Sequence, residues 1–181
     1  MCVCLADKEM AEFFLPSNYE KTYLVLIDER YNVMLVREEG GGYGFPFGLV
    51  DTDHEDFDED TFARIIDSQL GIDAKILGVS RSGVIDRQTL TLPGIGGSPS
   101  TVHQFISWIY TLPSLPSSAA MHSAISVPLA YLFLARPLPS LPLRVNAERI
   151  ARLLLEESTF NVHDRVHEQA RNFGLSLASW V

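Results

Sequence analysis

The sequence is poor in several features that mark particular classes of protein. Its two cysteines, Cys2 and Cys4, are too few for a disulfide framework, and a single C-x-C pair lacks the second pair that a zinc site needs. No basic region followed by an apolar stretch opens the chain, and no apolar run approaches the ~20 residues of a membrane span. These absences predict an intracellular protein with no membrane association, in a compartment that the sequence leaves open.

Basic charge is also scarce, since the net charge is −9. The acidic excess is concentrated in residues 51–60, the acidic segment, which contains seven acids and no base. Those acids are Asp51, Asp53, Glu55, Asp56, Asp58, Glu59 and Asp60. A protein that binds nucleic acid through a broad basic face needs many cations to neutralise phosphates, so this composition disfavours that class. A local basic groove stays compatible with the composition.

Charge of either sign is missing from residues 88–135, here called the uncharged segment. Its 48 residues include no Asp, Glu, Lys or Arg. Exposed loops and strand edges usually carry charge, which prevents self-association. One interpretation is that Ser, Thr, Gln and His keep this segment soluble. The other is an extensive interface with a protein partner, because apolar surface without a charged rim tends to be buried in a complex.

Hydrophobic periodicity predicts one α/β (α+β) domain. With 181 residues and 46% hydrophobic content, the chain suffices for one core. We expect an N-terminal arm over residues 1–20 and a single domain over residues 21–181. β-branched and aromatic runs predict strands at residues 21–28, 31–37, 74–80, 82–86, 103–112 and 127–133. Apolar residues at helical spacing predict helices at residues 58–70, 119–125, 146–157 and 162–173.

Residues 43–72 combine a short strand, a glycine-bearing turn, the acidic segment and an amphipathic helix. The turn reads GFPFGLVDT at residues 44–52, and Gly71 suits a left-handed cap at the end of the helix. This order resembles the Nudix box, whose form is G-x5-E-x7-R-E-U-x-E-E-x-G-U with U apolar. The resemblance implies the Nudix α/β/α sandwich, in which a mixed sheet lies between helices.

The turn resembles more narrowly the Nudix branch that contains the metazoan snoRNA-decapping and inosine-diphosphatase enzyme and its inactive paralogue. In that branch, the box reads GFPGGFVDT and is followed by a short acidic insertion. VPLAYL at residues 127–132, LPSLP at residues 138–142 and the end of the last helix at residues 173–175 are weaker similarities. The resemblance covers residues 21–177 loosely.

The box is degenerate between residues 48 and 72. Its structural positions are kept by Gly48, Arg64, Ile66 and Gly71. The resemblance implies three metal-binding glutamates on the helix, and Ile65, Ser68 and Gln69 occupy those positions. Because residues 65, 68 and 69 share one face of an α-helix, that face carries no carboxylate.

The loss of these carboxylates predicts a protein with no catalytic residues, no metal and no cofactor at the box. Mg²⁺ needs anionic oxygens to offset its dehydration. Each missing unit charge removes about 4 kcal/mol of attraction at ~4 Å when the effective dielectric is ~20. Without a metal, nothing clamps a diphosphate or lowers the pKa of the attacking water. Phe47 replaces a glycine of the branch, and its side chain crowds the approach of phosphate to the backbone.

Other candidate sites follow from the remaining residues. The acidic segment could bind Mg²⁺ or Mn²⁺ from another direction. Asp67 is a further acid beside the replaced glutamate positions, but it points about 100° away from Ser68 on a helix. His163 and His167 have the i, i+4 spacing of zinc ligands, but the sequence offers no third ligand. An exposed helix face is the ordinary interpretation of that pair.

Three aromatic residues, Tyr43, Phe45 and Phe47, alternate along the strand before the box. At the mouth of a pocket they could stack on a base or an RNA cap. Aromatic residues in strands also pack routinely into cores. Both interpretations stay open.

The sequence therefore favours a catalytically inactive Nudix-fold protein that acts as a binding or architectural subunit, in a ribonucleoprotein or another multiprotein assembly. We expect protein partners on the uncharged segment, with RNA as a further candidate partner. The alternative is a divergent hydrolase of nucleoside diphosphate derivatives or RNA caps, with Mg²⁺ or Mn²⁺ supplied by the acidic segment.

Overall fold

The fold is built on one mixed sheet. The computed structural model describes residues 18–51, 57–92, 101–117, 123–156 and 161–181. Within these residues the strands are β1 (Asn18–Asp28), β2 (Asn32–Arg37), β3 (Tyr43–Gly44), β4 (Phe47–Asp51), β5 (Ser80–Leu92), β6 (Thr101–Leu112) and β7 (Ala124–Pro128). The helices are α1 (Glu59–Leu70), α2 (Val145–Glu156) and α3 (Val162–Phe173), with short 3₁₀ helices at Ala74–Leu77 and Leu129–Phe133.

Strand β1 lies at the centre of the sheet. It pairs in parallel with β6 along its whole length, from Asn18 opposite Val102 to Asp28 opposite Leu112. Its other edge pairs antiparallel with β4 over residues 19–23 and with β2 near Ile27. Strands β3 and β7 pair with β2, and β5 pairs with the far edge of β6. The apolar run in the second half of β1 is buried on both faces, as is typical of a strand in a parallel pair.

Helices cover both faces of the sheet, which confirms the predicted α/β/α arrangement. Side chains alternate along β1, so Leu24 and Leu26 face α1, whereas Val25 and Ile27 face α2 and α3. The α1 side also contains Phe62, Ile65, Ile66 and Leu70, and the opposite side contains Ile150, Leu154, Val162 and Val166.

The predicted strand over residues 74–80 is wrong for most of its length. Ala74–Leu77 forms a 3₁₀ helix, and the Asp73 side chain caps it by accepting a hydrogen bond from the Lys75 backbone N–H at 2.9 Å. Gly78 then adopts a left-handed conformation with φ of 58°. Local capping therefore outweighs the strand preference of the apolar residues, and β5 begins at Ser80.

Two predictions around residues 119–133 are also wrong in the part of the chain that the structure describes. Ala124 and Ile125 belong to β7 rather than to a helix, and residues 118–122 lie outside the described ranges. The strand ends at Pro128, where Leu129–Phe133 turns into a 3₁₀ helix. Pairing with β2 decides the conformation here, because residues 124–128 lie opposite residues 32–36 in register.

The ends of the domain bear on two further expectations. Strand β1 begins at Asn18, before the predicted start at residue 21, and residues 1–17 lie outside the described ranges. Among the helices that the structure describes, none is long and apolar enough to cross a membrane.

Candidate functional site

Helix α1, the helix of the box, has well-formed ends. At its start the Asp58 side chain accepts a hydrogen bond from the Thr61 backbone N–H at 2.9 Å. This bond holds the pKa of the Asp58 carboxyl below its usual value. At its end Gly71 adopts the left-handed conformation, with φ of 68°, and its N–H bonds to the Asp67 carbonyl oxygen. These two caps thus set where α1 begins and ends.

Ile65, at the first of the three glutamate positions, is a core residue. Its side chain is 1% exposed and packs on the α1 side of the sheet. It lies directly over Gly48 in β4, where a Cβ atom at residue 48 would be 2.6 Å from Ile65 Cδ1 and closer still to Cγ1. The two residues are therefore complementary, since the isoleucine occupies the space that glycine leaves.

The other two glutamate positions carry neutral polar groups. Ser68 is exposed, and its hydroxyl donates to the Ile65 carbonyl oxygen of its own helix at 3.0 Å. Gln69 is half-buried. Arg64 is exposed, and its Nη2 donates to the Leu49 carbonyl oxygen at 3.4 Å, which links α1 to β4. The kept arginine thus contacts the backbone of the turn.

The described acids do not converge on the box. Asp58 caps α1, and Glu59, Asp60 and Asp67 are exposed along it, while Asp53, Glu55 and Asp56 lie outside the described ranges. Glu20 is buried on the α1 side and accepts a hydrogen bond from the Thr22 hydroxyl. Among the residues described, no three His, Cys, Asp or Glu side chains are placed to hold a metal ion. The residues at the box positions therefore do not fit the metal that the fold family implies.

The three aromatic residues before the box have different environments. Phe45 is completely buried in the core on the α2 and α3 side, so its ring contacts core side chains. Tyr43 is half-buried against the same core, and its backbone bonds to Pro142 and Arg144. Phe47 is half-buried, with the Lys21 Nζ 3.9 Å from its ring centroid. Of the three, Phe47 and Tyr43 keep partly accessible rings.

Phe47 belongs to a larger group that sequence reasoning missed. The register of β4, β1 and β6 places Phe47, Tyr19, Lys21, His103 and Phe105 on the side of the sheet opposite α1. We call these five residues the aromatic face. Tyr19 and His103 lie opposite each other with ring centroids 4.3 Å apart, and Lys21 lies opposite Phe105. All five side chains are half-buried.

The aromatic face ends where α2 begins to cover the sheet. There, Arg149 of α2 donates from Nε and Nη2 to the two carboxylate oxygens of Asp86 in β5, at 3.1 and 3.2 Å. On the face itself the cation is Lys21, which lies over Phe47 and 5.3 Å from the Tyr23 ring centroid. A cation beside π-faces is the combination that binds stacked bases and their phosphates.

A separate cleft of about 430 Å³ lies on the α1 side. Phe62 and Tyr110 are among the residues that line it, with ring centroids 4.4 Å apart, and Lys75 and Arg81 are among the charged ones. Burial raises the pKa of Tyr110 to about 12, against the opposing effect of Arg81. Arg81 itself stacks on Trp108, with its guanidinium carbon 3.5 Å from the ring centroid. This cleft does not include residues 65, 68 or 69.

The predicted histidine pair forms on α3. The ring centroids of His163 and His167 are 4.5 Å apart, and His163 lies 3.9 Å from the exposed Asp164. Two nitrogen donors on an exposed helix make an incomplete zinc site. Of the two, His163 is exposed and His167 is half-buried.

The described parts of the uncharged segment contribute to two boundaries of the sheet. Residues 88–92 form the second half of β5, and β7 pairs along β2. In the described residues β5 has one strand neighbour, β6, and β7 has one strand neighbour, β2. Sheet edges that lack charge are the surfaces most suited to pairing with another chain.

Comparison with known proteins identifies the fold. No protein-family model matches the chain, and no curated protein matches it significantly. Among solved structures, it is similar to a Nudix hydrolase from M. smegmatis, RenU, with 17% identity and a TM-score of 0.54 over 79% of this chain and 87% of that one. It is also similar to the NUDIX domain of Shewanella oneidensis NrtR, solved with ADP ribose, with 13% identity and a TM-score of 0.50 over 84% and 98%. The chain has the Nudix fold.

Proposed function

We propose that this Nudix-fold protein does not hydrolyse diphosphates at its box and acts as a binding or architectural subunit of a multiprotein or ribonucleoprotein assembly. The burial of Ile65 against Gly48 carries the proposal. The space in which the first of the three helix glutamates of a Nudix box belongs is filled with hydrocarbon, and Ser68 uses its hydroxyl on its own helix. Three neutral residues cannot offset the dehydration of Mg²⁺.

Protein partners are supported by the uncharged segment. Its described residues contribute to β5, β6 and β7 and thus to two edges of the sheet. Natural sheets usually protect an edge with charge, proline or a bulge. An edge without charge can pair with a strand of a partner at little desolvation cost, because no charged side chain has to leave water.

RNA is a second candidate partner, and the aromatic face favours it. Rings on adjacent strands can stack on unpaired bases, and the lysine beside them can contact phosphate. The net charge of −9 disfavours phosphate binding over a broad surface. Stacking contributes about 1–3 kcal/mol per base. A local surface of this kind suits a short single-stranded segment.

The alternative of a divergent hydrolase defines the first experiment. We expect no phosphate release from a panel of nucleoside diphosphate derivatives and capped RNA with Mg²⁺ or Mn²⁺. Turnover that disappears when acids of residues 51–60, or Asp67, are changed to their amides would contradict the proposal and assign a relocated metal site. The matched control is Asp164→Asn on α3, which should leave any such turnover unchanged.

The second experiment tests RNA binding by fluorescence anisotropy with short single-stranded RNA. If the aromatic face binds RNA, Phe47→Ala and Lys21→Gln each weaken binding by about 1–3 kcal/mol, or roughly 5- to 150-fold. Ile76→Ala, at an exposed residue of the 3₁₀ helix, should bind like the unchanged protein. Binding that does not respond to either change on the aromatic face would assign RNA to another surface.

A further inference from the structure

The outer edge of β5 changes character along its length. In its first half the register with β6 shifts between Arg81 and Gly83 and again between Val84 and Asp86. Such bulges, together with charged side chains, are devices that keep an edge from pairing. Residues 88–92 pair with β6 without a shift, carry no charge and include Leu90, which is 48% exposed. Among the residues that the structure describes, the first half thus has protecting features, whereas residues 88–92 have neither a register shift nor a charge.

The unprotected half has a symmetric sequence. Thr89-Leu90-Thr91 reads the same in both directions. Two antiparallel strands related by a twofold axis perpendicular to the sheet place a residue opposite its own copy at the axis. An axis through Leu90 places Leu90 opposite Leu90 of a second copy and Thr89 opposite Thr91 of that copy. These pairs are apolar or hydroxyl-bearing, with no like charges in contact.

We propose that residues 88–92 form an interface between two copies of this chain, in which the two β5 strands pair antiparallel about Leu90. The two sheets then continue across the axis. This inference goes beyond the proposed function, and it concerns one end of the uncharged segment, so β7 and the aromatic face stay available to other partners.

Charge selects this register over its neighbours. An axis through Asp86 or Arg87 places two like charges directly opposite each other, which is destabilising. An axis through Gln88 places Asp86 opposite Leu90 and moves Asp86 away from its ion pair with Arg149 of α2 or buries that pair. An axis through Thr89 likewise places Asp86 opposite Leu92, and an axis through Thr91 pairs only residues 90–92 of β5. Leu90 is therefore the centre that pairs all five residues of 88–92 with one another.

The association should be weak and should depend on ionic strength. Five paired residues make a small interface, at the low end of specific complexes. Each copy has a net charge of −9, so long-range repulsion opposes the contact, and added salt screens it. We therefore expect the dimer fraction of the full chain to rise with both protein concentration and salt.

Sedimentation equilibrium of the full chain tests the existence and place of the dimer. Leu90→Lys sets two ammonium groups opposite each other and should weaken dimerisation about tenfold. Ile76→Lys is the matched control, because Ile76 is 72% exposed on the 3₁₀ helix before β5. A monomer at every concentration and salt, or a dimer that resists Leu90→Lys, would overturn the proposal.

Disulfide trapping tests the register. In a background with Cys2→Ser and Cys4→Ser, the single change Leu90→Cys should give a covalent homodimer under mild oxidation, since directly opposite Cβ atoms come close enough to bridge. Thr89→Cys mixed with Thr91→Cys should give the crossed dimer in excess over either homodimer. Equal trapping by Ile76→Cys, or homodimers of Thr89→Cys in excess over the crossed product, would show that β5 does not pair about Leu90.

Discussion

The two faces of the sheet differ most where β1 pairs with β4. On the α1 side, Gly48 lies beneath Ile65 in close contact, at the position that the resemblance assigns to the first of the three helix glutamates. On the opposite side, Phe47 and Lys21 remain half-buried beside other aromatic rings. The adjacent residues Phe47 and Gly48 therefore lie on opposite faces of the sheet, because side chains alternate along a strand.

This difference shows what the box does in this chain. Gly48, Arg64 and Gly71 hold the turn and α1 in place through a close contact, a hydrogen bond to Leu49 and a helix cap. None of these tasks requires a metal. The geometry of the motif can thus persist as packing without its carboxylates, and the aromatic face lies on the opposite side of the sheet.

The largest expected effect breaks the packed side. Ile65→Glu places a carboxylate at a position that is 1% exposed, within a cluster of apolar side chains. An uncompensated buried charge costs several kcal/mol, so we expect a loss of about 3 kcal/mol or more in the free energy of unfolding, measured by chemical denaturation at pH 7. The loss should shrink at low pH, where the carboxyl is neutral.

The matched control adds the same group at the other two positions. Ser68→Glu and Gln69→Glu lie on exposed or half-buried parts of α1, and each should change stability by less than about 0.5 kcal/mol. Restoring all three glutamates is therefore limited by residue 65 alone. If Ile65→Glu were as harmless as Ser68→Glu, the space over Gly48 could accept a carboxylate, and the proposed loss of the site would fail.

The second prediction concerns the other partner of that contact. Gly48→Ala forces a methyl group to within 2.6 Å of Ile65 Cδ1, and overpacking of this kind costs about 2 kcal/mol. Denaturation of Gly48→Ala alone and combined with Ile65→Ala measures the effect. The double variant should lose less than the sum of the two single changes, since each relieves the other. Strict additivity would contradict the direct contact.

Local signals explain which elements could be predicted from the sequence. The α1 helix was expected over residues 58–70 and spans Glu59–Leu70, because Asp58 and Gly71 mark its ends. The last helix spans Val162–Phe173, as expected from its apolar spacing and from Gly174. The missing carboxylates could also be read from the motif. That the protein lacks catalytic activity stays a prediction.

Long-range pairing explains the rest. The aromatic face is drawn from β1, β4 and β6, and its five residues meet only because the register brings Tyr19 opposite His103 and Lys21 opposite Phe105. The alternation of Tyr19, Lys21 and Tyr23 was a signal in the sequence, but the partner strands could not be aligned to it. Likewise, the sequence showed that Ile65 is apolar without showing that it fills the space over Gly48.

The third prediction sharpens the account of how α1 is held on the packed side. Hydrogen bonding from Thr61 lowers the pKa of Asp58 in the folded state. The stabilisation is therefore fully present above the unfolded pKa of about 3.9 and is lost as pH falls through the lower folded pKa. Asp58→Ala should lower the melting temperature at pH 7 and lower it less at acidic pH. Asp58→Asn keeps an acceptor, so its melting temperature at pH 7 should lie between those of Asp58→Ala and the unchanged protein. Equal losses at every pH would contradict the carboxylate cap.

The smallest expected effect lies on the aromatic side, where Arg149 of α2 pairs with Asp86 of β5 through two hydrogen bonds. Arg149 is 53% exposed and Asp86 14%, so solvent screens the pair and we expect a coupling energy of about 0.5–1 kcal/mol. A double-mutant cycle with Arg149→Met and Asp86→Asn measures it by chemical denaturation. Because this pair borders the aromatic face, breaking it should also increase the accessibility of Phe105 to solvent, whereas the packing of Ile65 on Gly48 should not change. A coupling energy of zero would mean that α2 is held on this side of the sheet by its apolar residues alone, such as Ile150 and Leu154.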